Sequence, residues 1–134
     1  MEKEIRNTIL ATQLSELNNR SRAYAAQIWQ VPFAYFGLTG LILGSLVDRC
    51  PTLLGIALII SGMLGIVVLV HIFGNLQACK RAVLEIQSIE RSCGLHVTAQ
   101  WAPKLIVYPL IIAVVCMAVI CLIMGIYILW PLIS

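Results

Sequence analysis

The sequence predicts an all-α membrane protein: three transmembrane helices, a cytoplasmic N-terminal amphipathic helix, and a cytoplasmic extension of the second helix. Three observations predict it. First, 60% of the 134 residues are apolar and 11% are charged, with a mean hydropathy of +0.96; a soluble domain carries about 25% charged and roughly 45–50% apolar residues. A chain of one-domain length has too high a surface-to-volume ratio to hide that much apolar surface from water. Second, the apolar residues fall in three runs, each long enough to cross a bilayer. Third, the basic residues are placed asymmetrically. Lys3, Arg6, Arg20 and Arg22 precede the first run, Lys80, Arg81, Arg91 and Lys104 lie between the second and third, and Arg49 alone lies between the first two. Lys and Arg close to spans are retained on the cytoplasmic side. The expected topology has the N-terminus and central segment inside, the Arg49 turn and C-terminus outside.

Residues 3–27 read as an amphipathic helix. Ile5, Ile9 or Leu10, Leu14, Leu17, Tyr24 and Ile28 recur at three- and four-residue steps, opposite Glu4, Asn7, Gln13, Glu16, Asn19 and Arg20. Polar and helical, this segment is not expected to be a cleaved leader. Nothing breaks it before Pro32, so it is expected to run directly into span one, residues 28–47. Those residues at about 1.5 Å each give roughly 30 Å, the thickness of a hydrocarbon core. Trp29, Tyr35 and Phe36 read as aromatic anchors, and Pro32 predicts a small kink. Asp48, Arg49, Cys50 and Pro51 predict a tight turn, so spans one and two form an antiparallel hairpin. Span two covers 52–73, with proline placed where a helix start tolerates it.

Helical spacing continues beyond span two through Leu76, Cys79, Val83 and Ile86, predicting an extension over 75–93 that ends at Gly94 and Leu95, a glycine stop. The extension matches the N-terminal helix in length and is expected to pack beside it. After a link ending in Trp101 and Pro103, span three covers 104–130. It is longer than the hydrocarbon core, so tilt is expected. Lys104 and Tyr108 mark one interface, Tyr127 and Trp130 the other.

Small residues are the most patterned feature of the spans. Gly40 and Gly44 form a GxxxG with Gly37 on a neighbouring face; span two offers Ala57, Ser61 and Gly65, plus Gly55 and Gly62; span three offers Cys121 and Gly125. Such stripes let two backbones approach closely. They serve either an oligomer seam or the packing of one protomer, and the sequence leaves both open. His71 is the ionisable residue lying inside a span away from its very ends, which makes it a gating candidate; within a turn of the cytoplasmic edge, it equally fits a neutral interfacial histidine bonded to a neighbour. Cys79, Cys93 and His96 lack paired metal-ligand spacing, and no metal or cofactor is expected. Arg81 and Glu85 are spaced for a modest surface pair in the less favoured orientation. Arg20, Arg22, Lys80, Arg81, Arg91 and Lys104 suit anionic headgroups, at about 1 kcal/mol each, rather than nucleic acid, which wants a denser basic patch away from lipid. The cysteines follow no pairing pattern, Cys50 being the one on the outer side. A phosphate loop, a catalytic triad and an intramembrane carboxylate are all missing from the pattern, so neither catalysis nor ion-coupled carriage is expected.

The stretch from Arg20 to Pro32, RSRAYAAQIWQVP, leading into a glycine-bearing span, resembles the entry to span one of small bacterial membrane proteins. The similarity covers residues 15–48. Some proteins of this kind accompany anti-phage and other conflict systems, where they are proposed to disrupt membranes. The resemblance implies a bacterial inner-membrane location and transfers no functional residue. The expectation is therefore a non-enzymatic, self-associating protein that forms or gates a membrane pathway in the lipid bilayer. Its cytoplasmic layer, through Leu14, Leu17, Val83 and Ile86, would receive a protein partner or signal. The competing expectation is an anchor or accessory subunit that recruits such a partner.

Overall fold

Three helices account for the fold: α1 (Glu2–Leu46), α2 (Pro51–Ser92) and α3 (Lys104–Ile133). The structure, a computed structural model, describes residues 2–47, 50–94, 96–97 and 104–133, with side chains excepted for 2–7, 104–106 and 132–133. Expectations for Asp48 and Arg49, for Leu95, Trp101 and Pro103, and for the side chains of Glu4, Ile5, Asn7 and Lys104 lie outside the described residues. All three helices are long and apolar enough to cross a membrane.

The first two helices run far past membrane thickness. At about 1.5 Å per residue, the 45 residues of α1 and the 42 of α2 reach over 60 Å, against roughly 45 Å for the 30 of α3. Helix α1 continues without interruption through Pro32, which is buried. Helix α2 begins where its sequence allows. Cys50 is extended, Pro51 takes the first helical position, and the Leu54 amide donates to the Cys50 carbonyl at 3.0 Å. Proline is pre-set for that position because its missing N–H would have no helical partner there. At the far end Gly94 adopts φ +68° and its amide donates to the Arg91 carbonyl at 3.1 Å. That left-handed residue is why a glycine closes this helix.

Helix α2 sits between its neighbours, which barely touch each other. Against α1 it forms an antiparallel seam of heptad character. On α1 the positions facing α2 are Leu10, Leu14, Leu17, Ser21, Tyr24, Ile28, Val31, Tyr35, Thr39, Ile42 and Leu46, each buried or half-buried. On α2 they include Ser61, Gly65, Val68, Ile72, Asn75, Cys79, Ala82, Ile86 and Glu90, all buried. Steps of three and four keep one stripe facing the partner for many turns. The register is fixed by Ser21 Oγ, 3.6 Å from Cys79 Sγ, whose thiol also reaches the Ser21 carbonyl.

Against α3, the seam is built on glycine. Two core clusters join the three helices: Ile28, Tyr35, Val68, Ile72, Val107, Leu110 and Val114 at one level, and Leu54, Leu58 and Cys121 at the other. The remaining surface is strongly apolar. Leu41 is 73% exposed and Val70 68%, with Phe33, Met63, Ile112 and Trp130 in similar positions. Water would not tolerate a continuous apolar surface of this extent, and lipid does.

Two expectations are corrected by this packing. Tyr35 is not an interfacial anchor: it is buried against α2 and α3, because seven-residue spacing from Ile28 puts it on the seam. Trp29 stays on the surface, stacked with Phe33 at 6.4 Å between ring centres. Among the described residues no ion pair joins Arg81 to Glu85. The pair that forms is Glu16 with Arg20, where the acid precedes the base by four, the orientation the helix dipole favours.

Candidate functional site: an open glycine face and a buried hydroxyl cluster

The structure sorts the small residues into two groups. Gly55, Gly62, Gly65 and Gly125 are consumed within the chain. A Cβ at Gly62 would lie 2.5 Å from Leu122 Cγ and 3.0 Å from the Ala118 carbonyl oxygen. One at Gly55 would meet Leu129, and one at Gly125 would meet the Gly55 carbonyl oxygen at 2.9 Å. Gly65 is the three-helix junction, where a Cβ would strike both Ala118 Cβ at 2.7 Å and Tyr35 Oη at 2.8 Å. Ser61 is buried on the α1 side of α2, and Ala57 is half-buried.

Gly37, Gly40 and Gly44 are different. Nothing lies within 4 Å of a Cβ built at any of them. They stand on the face of α1 opposite the seam, in one stripe with Ala26, Gln30 and Phe33. Successive steps of four, three, four, three and four residues link them, and all six are exposed. A second heptad stripe thus runs along α1 with no partner among the described residues. Gln30 places an amide on that stripe at the level of span one.

His71 is exposed near the end of the apolar part of α2. Its Nε2 lies 2.8 Å from Nδ2 of Asn75, one turn on, so the amide N–H donates to the ring nitrogen. Asn75 is buried on the seam. Its side chain is what ties His71 down, and the sequence reading passed over it. Of the residues assigned to an input surface, Val83 and Ile86 are buried inside the seam, whereas Leu14 and Leu17 are half-buried. Between the outer limbs of α1 and α2 a groove of about 290 Å³ is lined by Gln13, Glu16, Leu17, Arg20, Glu85 and Ile89.

Sequence reasoning also missed Thr39. Thr39 is 1% exposed and Tyr35 2%, and no hydrogen bond of standard geometry reaches Tyr35 Oη or Thr39 Oγ1. The signal was present as a hydroxyl one turn from a tyrosine on a heptad position, but only the packing shows that both point inward. Cys50, Cys79, Cys93, Cys116 and Cys121 are all free thiols. Among the described residues no three His, Cys, Asp or Glu side chains converge in a way that could hold a metal ion.

No family model matches the chain, and neither the curated proteins nor the solved structures contain a significant match.

Proposed function

We propose that the chain is a non-enzymatic membrane protein that self-associates through the open stripe of α1 and forms or gates a membrane pathway as an oligomer. The observation that carries this reading is that Gly37, Gly40 and Gly44 face outward with nothing near them, while Gly55, Gly62, Gly65 and Gly125 already have their close approach inside the chain and Gly74 stands open by itself on α2. Small residues spaced this way are what membrane helices use to pack on one another. The exposed Gln30 amide on the same stripe would gain a hydrogen-bond partner from a facing copy. A single chain has its α2 sandwiched between neighbours and encloses no channel among the described residues, so a pathway would need several copies. Its walls would be apolar, closed by dewetting and opened by helix rearrangement.

The charge distribution supports a cytoplasmic N-terminus, a cytoplasmic 75–93 segment and an outward C-terminus. Together with the resemblance around residues 20–32, it favours a bacterial inner-membrane effector. On this reading the outer limbs of α1 and α2 form the cytoplasmic input layer. The length by which they outrun α3 also favours the competing reading, an anchor that recruits a protein partner.

Purified protein reconstituted in liposomes separates the two. Solute or ion flux that Gly40→Leu abolishes together with the oligomer supports the pathway. The absence of flux in every oligomeric preparation removes it. Loss of a heteromeric partner on Gly40→Leu, with no homo-oligomer to lose, supports the anchor.

A further inference from the structure

The open stripe of α1 does not end at Ala26. Steps of three, four, four, three and four residues lead back from it through Ala23, Asn19, Ser15, Thr12 and Thr8, all exposed and all opposite the seam with α2. A shallow hollow of about 560 Å³ follows Thr8, Thr12, Ser15 and Asn19 along the helix. None of these side chains is charged or long. The long polar ones of the same segment, Gln13, Glu16 and Arg20, line the groove toward α2 instead. Thr, Ser and Asn are poorer helix formers than those long residues, so water alone does not favour them on this face.

Size and chemistry together say what covers it. From Thr8 to Gly44 the stripe is about 54 Å long at ~1.5 Å per residue and about 10 Å wide. Two copies paired along all of it would bury on the order of 1,000 Å², the size a specific interface should clear. The part from Ala26 to Gly44 offers about half of that. Small side chains let two backbones come close, and an uncharged stripe sets no like charges face to face. Copies inserted the same way across a membrane run parallel, so each residue meets its own counterpart across a two-fold axis. Asn19 and Gln30 then each face their own kind, and an amide can both donate to and accept from another amide. Arg22 stands at one edge of the stripe and Glu16 at the other. The two-fold lays the basic edge of one copy beside the acidic edge of the next.

We propose that a second copy of the chain covers this face, α1 on α1 in parallel from Thr8 to Gly44, so that the seam between copies begins well before the membrane span. The proposal deepens the self-association reading and rests on it. Gly37, Gly40 and Gly44 form one end of the contact, and Thr12, Ser15 and Asn19 the other. An input that moves the first part of α1 then acts on the contact between copies directly.

The test uses the full chain, labelled at its C-terminus with donor or acceptor fluorophores, in phosphatidylcholine vesicles over a range of protein-to-lipid ratios. Energy transfer gives the association constant for wild type, Ser15→Lys, Asn18→Lys and Gly40→Leu. Ser15 and Asn18 are both exposed, the second off the stripe, so neither change requires the fold to repack. The expected result is association about tenfold weaker for Ser15→Lys, whose new charges face each other, and unchanged for Asn18→Lys. Ser15→Cys should also oxidise to a dimer linked at residue 15, located by mass spectrometry, because a disulfide needs Cα atoms within about 7 Å; Asn18→Cys should not. Unchanged association in Ser15→Lys, equal losses at both positions, or no link at residue 15 overturns the proposal. If Gly40→Leu weakens association while Ser15→Lys does not, the seam is confined to the membrane and self-association survives without this extension. Absence of association in the wild type removes both.

Discussion

Replacing Gly125 by alanine should loosen the whole bundle, whereas the same change at Gly40 should leave the isolated chain intact. A Cβ at Gly125 would lie 2.8 Å from Ile59 Cγ1, 2.9 Å from the Gly55 carbonyl oxygen and 3.0 Å from the Ile59 amide nitrogen, where ordinary contact begins at 3.4 Å. Two of those three atoms are backbone, so no rotamer change relieves them and α2 and α3 must part by a few tenths of an ångström. Overpacking of this kind costs about 1–3 kcal/mol, and here the upper part of that range applies. Alanine returns about 1 kcal/mol of helix propensity. The net loss is about 2 kcal/mol, a change of about 30-fold in the folding equilibrium. At Gly40 there is no clash to offset the propensity, so Gly40→Ala should be neutral or stabilising by up to about 1 kcal/mol. Equilibrium unfolding in mixed detergent micelles, followed by circular dichroism at dilutions where the chain is monomeric, measures both. A neutral Gly125→Ala beside a destabilising Gly40→Ala would refute the assignment of the two glycine faces.

Two further predictions concern the flanks of the bundle. His71→Ala strips the buried Asn75 amide of its 2.8 Å partner and should cost about 1–2 kcal/mol; His71→Ala with Asn75→Leu should recover most of it, and an additive loss in the unfolding assay would show that the pair is not coupled. For sidedness, a membrane-impermeant maleimide added to intact cells should modify Cys50 and spare Cys93, with the reverse in inverted vesicles. Cys79, buried against Ser21, should react slowly from either side; labelling of Cys93 in intact cells would invert the topology.

The parts of the fold that were legible in the sequence are those set by length and hydropathy. Three apolar runs, a proline at the start of α2 and a glycine at its end needed no tertiary information to place. The heptad steps of α1 were readable too, from Leu10 to Ile28. What could not be read was which helix would cover each face. Gly40 and Gly62 look alike in sequence, since both sit in small-residue patterns of a span. They differ because α2 has a neighbour on each side and α1 has one. The same ambiguity hid Tyr35 and Thr39. An aromatic ring early in a span suits an interface as well as an interior, and a threonine in a helix can satisfy itself against its own backbone. Asn75 went unnoticed for a related reason. It lies just past the apolar run, where a polar residue is ordinary until its side chain proves to be buried.

The unbroken α1–α2 pair has a mechanical consequence. From Leu17 to Thr39 the two rods stay in register over roughly 33 Å, at about 1.5 Å per residue. No loop is interposed at the point where the apolar stretch starts, and Pro32 of α1 and Gly74 of α2 are helical like their neighbours. A twist applied to the outer limbs therefore has no joint in which to dissipate, and it arrives at the level of Thr39 as a twist of the same two shafts. Outer end and buried middle behave as one crank.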